Sequence, residues 1–185
     1  MDWWQEVERA LENVPHAVAG AVATNAYAPE RLTQDIDIVV LASEAHRAEA
    51  ALRAAGWRKT GNLSLVRGTS WRDIAGHDVD LITLTEPWAI DAVTEAQENR
   101  IAGMATLPMA YVVLMKLFAS RTTDLGDVTR MLGWAADSRP ELVDQARHVV
   151  QRFGTAEDLA DFEQLLDMGR LERGLDRGGQ TSETL

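Results

Sequence analysis

The segment "TQDIDIVVLA", residues 33–42, constrains the fold of this chain more than any other. Ile36, Ile38, Val39, Val40 and Leu41 are the side chains of a strand at the centre of a sheet. Asp35 and Asp37 stand at its mouth two residues apart, so both carboxylates project from one face. Two like charges that close repel by about 1 to 4 kcal/mol, depending on the local dielectric. A divalent cation would compensate them. The alternative is a strand end in solvent, where acids cost little. The segment "HDVDLITL" repeats the pattern, with Asp78 and Asp80 ahead of an apolar run. If the two strands are neighbours, Asp80 stands beside Asp35 and Asp37. Three carboxylates then form an oxygen-donor set suited to Mg2+, which prefers carboxylates plus substrate phosphates. Asp78 is read as structural.

The rest of the chain supplies the frame. Residues 2–13 read as an amphipathic helix ended near Pro15, followed by a short apolar strand, a small-residue turn at Gly20-Ala21 and a helical stretch. Ser43 and Gly56 bracket an alanine-rich helix as N-cap and C′. Strands are expected in "LSLVRGTSWRD" and "HDVDLITL", a helix after Pro87 and an extended stretch in "NRIAGMATL". Helices follow at roughly 108–121, 124–136, 139–152 and 155–168, while residues 171–185 lack periodicity and read as a disordered tail. Strands and helices first, then helices alone, predict an α+β fold with a core over 1–107 and a helical part over 108–170. Trp57, Trp71 and Trp134 fall where core packing is expected.

Composition narrows the chemistry. With 185 residues the chain suits one domain, and without cysteine it has no disulfide, thiolate zinc site or cysteine nucleophile. The acidic start "MDWWQEVERAL" is unlike a secretory signal, and no apolar run reaches the ~18 residues of a membrane span, so the cytoplasm is the expected compartment. A net charge of −11 disfavours extended, non-specific duplex binding. A local basic groove of Arg31, Arg67, Arg72, Lys116 and Arg121 remains compatible with it. The four histidines show no ligand spacing, and no serine-nucleophile or Walker-type loop appears.

"AGAVATNAYAPERLTQDIDIVV" resembles the opening motif of the nucleotidyltransferase superfamily: a glycine turn, about a dozen positions, then Asp-x-Asp in an apolar strand. Within it, Tyr27, Arg31, Thr33, Asp35 and Asp37 are similar to the pattern of the abortive-infection toxin branch. "LPMAYVVLMKLFASRTTDLGDVTRML" resembles that branch's second block, with Lys116, Arg121, Asp124 and Asp127. The resemblance covers roughly residues 16–135. It implies a mixed, mostly antiparallel sheet with flanking helices and a C-terminal helical bundle. It further implies transfer of a nucleoside monophosphate from an NTP to tRNA, a protein or a small molecule. Asp35 and Asp37 would bind Mg2+ or Mn2+, Asp80 would serve as metal ligand or base, and an antitoxin protein would be a partner. Gly20 and Ala21 would present backbone N–H groups to the triphosphate, joined by Arg31, Lys116 and Arg121.

Ala21 departs from the family's usual Ser or Gly and offers no hydroxyl, so a catalytically impaired relative that binds nucleotide or a partner is the rival reading. An aminoglycoside-type adenylyltransferase is a third. Other roles stand beside the implied ones. Lys116 reads equally as a lysine snorkelling from a half-buried helix. Asp124 and Asp127 lean toward a helix-cap and salt-bridge cluster with Arg121. Arg31 reads equally as a surface residue.

Overall fold

A computed structural model describes residues 3–29, 33 and 35–179, with side chains as far as residue 174. The chain divides into two units, one of Met1–Ala23 with Arg31–Pro108, the other of Thr24–Glu30 with Met109–Leu185. Up to residue 105 the elements are α1 (Trp3–Ala10), β1 (His16–Val18), α2 (Gly20–Asn25), β2 (Asp35–Leu41), α3 (Ala45–Ala54), β3 (Arg58–Asn62), β4 (Gly68–Arg72), β5 (Asp78–Leu84), α4 (Ala89–Glu98), β6 (Arg100–Ile101) and β7 (Met104–Ala105).

Five strands form one sheet in the order β1-β2-β5-β4-β3. The β1–β2, β4–β5 and β3–β4 pairings are antiparallel and β2–β5 is parallel, giving the expected mixed, mostly antiparallel sheet. Alternation along β2 and β5 sorts the side chains between the two faces. Ile36, Ile38, Val40, Val79 and Leu81 lie on one face, where Val7 and Leu11 of α1 and Ala48 and Leu52 of α3 bury them together with Trp57 and Trp71. Each fully buried aliphatic side chain contributes about 1.5–3 kcal/mol. The aspartates take the other face. α4 packs on β1 and β2, and the β6–β7 hairpin accounts for the stretch expected to be extended.

Three local expectations need correction. β3 was absent from the sequence reading because "RKTGN" is polar and exposed throughout, as an edge strand can be. Ser43 does not cap α3: the capping position is Glu44, which makes no side-chain cap. Trp134 is 38% exposed, covered on one side by the Arg173 guanidinium 3.8 Å from the ring centroid.

The second unit contains α5 (Met109–Ala119), α6 (Thr122–Ser138), α7 (Pro140–Phe153) and α8 (Ala156–Gly179). α5 is apolar on almost every side and buried accordingly. α6 and α8 cross with their backbones touching: a Cβ on Gly133 would lie 2.6 Å from the Gly169 carbonyl oxygen, and one on Gly169 would lie 2.4 Å from that of Thr129. α8 continues to Gly179, beyond the start of the tail expected over 171–185. Arg173 anchors this extension, its Nε donating to Asp137 at 2.9 Å while its guanidinium covers Trp134. Among the described residues no helix is long and apolar enough to cross a membrane.

Candidate active site

The β2–β5 register sets Asp35 opposite Asp78 and Asp37 opposite Asp80. Directly opposed residues share a face, and neighbouring strands lie ~4.8 Å apart. The mouth of the two strands therefore carries two carboxylate rungs on one side of the sheet. Each rung repels itself by about 1 to 3 kcal/mol if left uncompensated. Asp35 is exposed, and Asp37, Asp78 and Asp80 are half-buried, so the rungs are open to a ligand.

Gly20 closes over Asp37. The Ala19 N–H donates to the Asp37 carbonyl at 2.8 Å, tying the turn to the strand. Gly20 has φ +55°, and a Cβ there would fall 1.7 Å from Asp37 Oδ2. Only glycine fits, for two reasons at once: the left-handed backbone and the carboxylate in the place of a side chain. Gly20→Ala is expected to displace the Asp37 carboxylate and to destabilise the protein by more than the roughly 1–2 kcal/mol that the backbone conformation alone costs. Thermal unfolding measures this, and an unchanged Tm would refute the fit of the turn to Asp37.

Asp35, Asp78 and Asp80 each have a local side-chain partner. Thr33, part of the family-like motif, donates its hydroxyl to Asp35 Oδ1 at 2.9 Å. Ser70 on β4, opposite Asp80, donates to Asp80 Oδ1 at 2.7 Å. Arg72, also on β4, holds Asp78 through Nε at 2.7 Å and Nη2 at 2.8 Å. The paired N–H groups of Arg72 keep Asp78 below the ordinary carboxylate range. Asp78 is thus held in an ion pair with Arg72. Ser70 was missed because its relation to Asp80 depends on cross-strand register, of which a single sequence carries no sign.

The oxygen chemistry of Asp35, Asp37 and Asp80 fits a hard divalent cation. Among the described residues, however, no three His, Asp or Glu side chains are gathered into a metal-sized cluster. Thr33, Ser70 and Arg72 each draw a carboxylate toward itself, as expected where like charges face one another. His77, adjacent to Asp78, alternates to the opposite face. Its Nδ1 lies 2.6 Å from Asp73 Oδ2 and its ring stacks on Trp3, a structural role. Arg31 lies outside the described residues.

The second block is a buried ion network within the second unit. Lys116 does not snorkel: it is 7% exposed, and its Nζ donates to Asp124 Oδ1 at 3.1 Å and Asp127 Oδ2 at 2.8 Å. Arg121 Nε donates to Asp124 Oδ2, and Arg130 Nη2 donates to Asp127 Oδ1 at 2.9 Å. Burial pushes the Asp124 carboxyl up, but hydrogen bonds from Arg121 and Lys116 outweigh it and hold it below its usual value.

No family model and no curated protein matches the chain. Among solved structures, the crystal structure of JHP933 from Helicobacter pylori is similar at 15% identity and a TM-score of 0.50, covering 96% of this chain and 92% of that one. The antibiotic-resistance factor ANT(2'')-Ia in solution is similar at 18% identity and a TM-score of 0.49, covering 98% and 99%. Its complex with adenylyl-2''-tobramycin is similar at 18% identity and a TM-score of 0.46, covering 92% and 97%. At such identities the likeness is one of fold. The chain has a nucleotidyltransferase-like α+β fold, with its mixed sheet flanked by helices and further helices at the C-terminal end.

Proposed function

We propose that the chain is a divalent-cation-dependent nucleotidyltransferase that moves a nucleoside monophosphate from an NTP to an acceptor. The observation that carries this reading is the Asp37–Asp80 rung lying against a turn that only glycine can make. Asp35, Asp37 and Asp80 would hold Mg2+ or Mn2+, which when bound supplies positive charge for the triphosphate and the leaving pyrophosphate. The chain's own residues do the rest. Gly20 and Ala21 offer backbone N–H groups to the phosphates. An acceptor oxygen forms a bond to the α-phosphorus as the bond from that phosphorus to the bridging oxygen breaks, releasing pyrophosphate. Asp80, fixed by Ser70 through Oδ1, has Oδ2 to take the acceptor's proton. The family resemblance implies a phosphate-binding role for Arg121 as well, whose side chain is 61% exposed. Lys116 is committed to Asp124 and Asp127.

The family resemblance extends the proposal to tRNA, a protein or a small molecule as acceptor. It also extends it to a cytoplasmic toxin paired with an antitoxin protein. Ala21, together with carboxylates that are not drawn into one cluster, favours a second reading in which the same site binds nucleotide without turnover.

Calorimetric titration of the four NTPs, with and without Mg2+, tests the first reading. One NTP is expected to bind, and only with Mg2+. A folded protein that binds none of them would overturn both readings of the site. Binding without nucleotide transfer to any RNA, protein or small-molecule fraction would favour the second.

A further inference from the structure

The carboxylate face continues across β4 and β3 with the opposite charge. Arg72 lies opposite Asp78 on one side and opposite Arg58 of β3 on the other, so all three share a face. The face thus reads, strand by strand, as Asp35, Asp78, Arg72 and Arg58 at the mouth of the sheet. Like charges directly opposite each other on neighbouring strands are destabilising. Asp78 compensates Arg72 through Nε and Nη2 and leaves Nη1 without a partner among the described residues. The Arg58 side chain is exposed and makes no hydrogen bond or ion pair among the described residues. In a chain of net charge −11, two adjacent guanidinium groups beside a carboxylate site form a local reversal of sign. Edge strands are often kept from pairing by charge. Lys59, the next residue of the same strand and ion-paired to Glu49 at 3.4 Å, already supplies charge there without opposing another cation.

We infer that Arg58 and Arg72 form a phosphate-binding subsite that receives the acceptor, so that the transferase acts on a phosphate-bearing molecule. This rests on the nucleotidyltransferase reading above. A guanidinium binds phosphate in fork geometry, and the unbonded N–H groups of Arg58 with Nη1 of Arg72 supply the donors. The placement is on the acceptor side: the subsite adjoins Asp78 and Asp80 across β4, whereas the Gly20 turn closes over Asp37 from β1. A polycationic acceptor, by contrast, would meet the uncompensated guanidinium of Arg58 at the entrance.

The test is fluorescence anisotropy in the presence of Mg2+ and whichever NTP the calorimetry selects, as its non-hydrolysable analogue. The probes are a short labelled oligoribonucleotide, ribose 5-phosphate as its competitor, and tobramycin as a cationic competitor. Arg58→Glu is expected to weaken oligoribonucleotide binding by about ten-fold or more, and Arg58→Lys by no more than about two-fold, with NTP binding unchanged in both. Competition by ribose 5-phosphate would assign the subsite to a single phosphate, and its absence to a phosphodiester chain. Equal binding by wild type and Arg58→Glu, or binding of tobramycin alone, overturns the subsite while Mg-dependent NTP binding leaves the transferase reading intact. Loss of NTP binding in the wild type instead overturns that reading, whatever the anisotropy shows.

Discussion

Asp37→Asn is expected to abolish Mg-dependent NTP binding while the protein unfolds at the same temperature or a higher one. The two halves of that result have one cause. Asp37 faces Asp80 across the parallel β2–β5 pair, and a second rung of acids lies beside it. Replacing one carboxylate with its isosteric amide relieves about 1 to 3 kcal/mol of like-charge repulsion. It also removes an anionic oxygen from the donor set proposed above, whose interaction with a divalent cation and triphosphate would be several kcal/mol, on the order of 10^2 to 10^3 in affinity. A residue kept for folding would show the reverse pattern, losing stability and sparing ligand binding. Calorimetry with Mg2+ and the selected NTP, run beside thermal unfolding, separates the cases. A variant that is less stable yet binds NTP normally would remove Asp37 from the site.

Lys116→Met should act in the opposite way, on stability first. The substitution keeps the aliphatic stem in the packing of α5 but leaves Asp124 and Asp127 buried with one cation fewer each. Breaking a buried pair by deleting one partner costs about 3–5 kcal/mol. Arg121 and Arg130 remain to compensate, which places the expected loss near the lower end, about 3 kcal/mol by urea denaturation at neutral pH. The deficit carries a pH signature. Asp124 has its carboxyl held below the ordinary value in the folded protein. Its contribution is therefore present above the unfolded carboxylate value of about 3.9 and is lost as pH falls through the lower folded value. The gap between wild type and Lys116→Met should narrow in that acid range. A loss under about 1 kcal/mol, or a gap that widens on acidification, would show that the network does not hold the unit together.

The sequence made the two acid pairs legible because each interrupts an apolar strand with a period of two. The same run of aliphatic residues that buries β2 forces its acids to one face. It could not reveal which strand lies beside which, and for that reason Asp80 reads as a neighbour only conditionally, Ser70 goes unassigned and Arg72 falls in a possible basic groove rather than beside Asp78. β3 escaped notice because its five residues bury nothing. Lys116 reads from the sequence equally as a phosphate ligand or, from its apolar surroundings, as a stem reaching for water. The structure instead brings the counter-ions to the lysine, since Asp124 and Asp127 recur on α6 at helical spacing toward one side. The cap and salt-bridge reading of Arg121, Asp124 and Asp127 rests on the preference for acids in a helix's first turn, and of its members Arg121 and Asp124 pair as expected while Asp127 pairs with Lys116 and Arg130.

The parallel pairing of β2 with β5 also fixes when the site can exist as the chain is made. Parallel neighbours cannot be joined by a tight turn, and here the intervening chain forms α3, β3 and β4 before β5 is reached. β5 then inserts between β2 and β4, both of which precede it. A nascent chain that has emerged only as far as β4 holds the glycine turn and the first acid pair but not the second. Closing that non-local contact carries the loop entropy that slows folding of such topologies. The opposed carboxylates therefore come together only once β5 has been made, and translation intermediates that end before it lack the rungs on which the proposed chemistry depends.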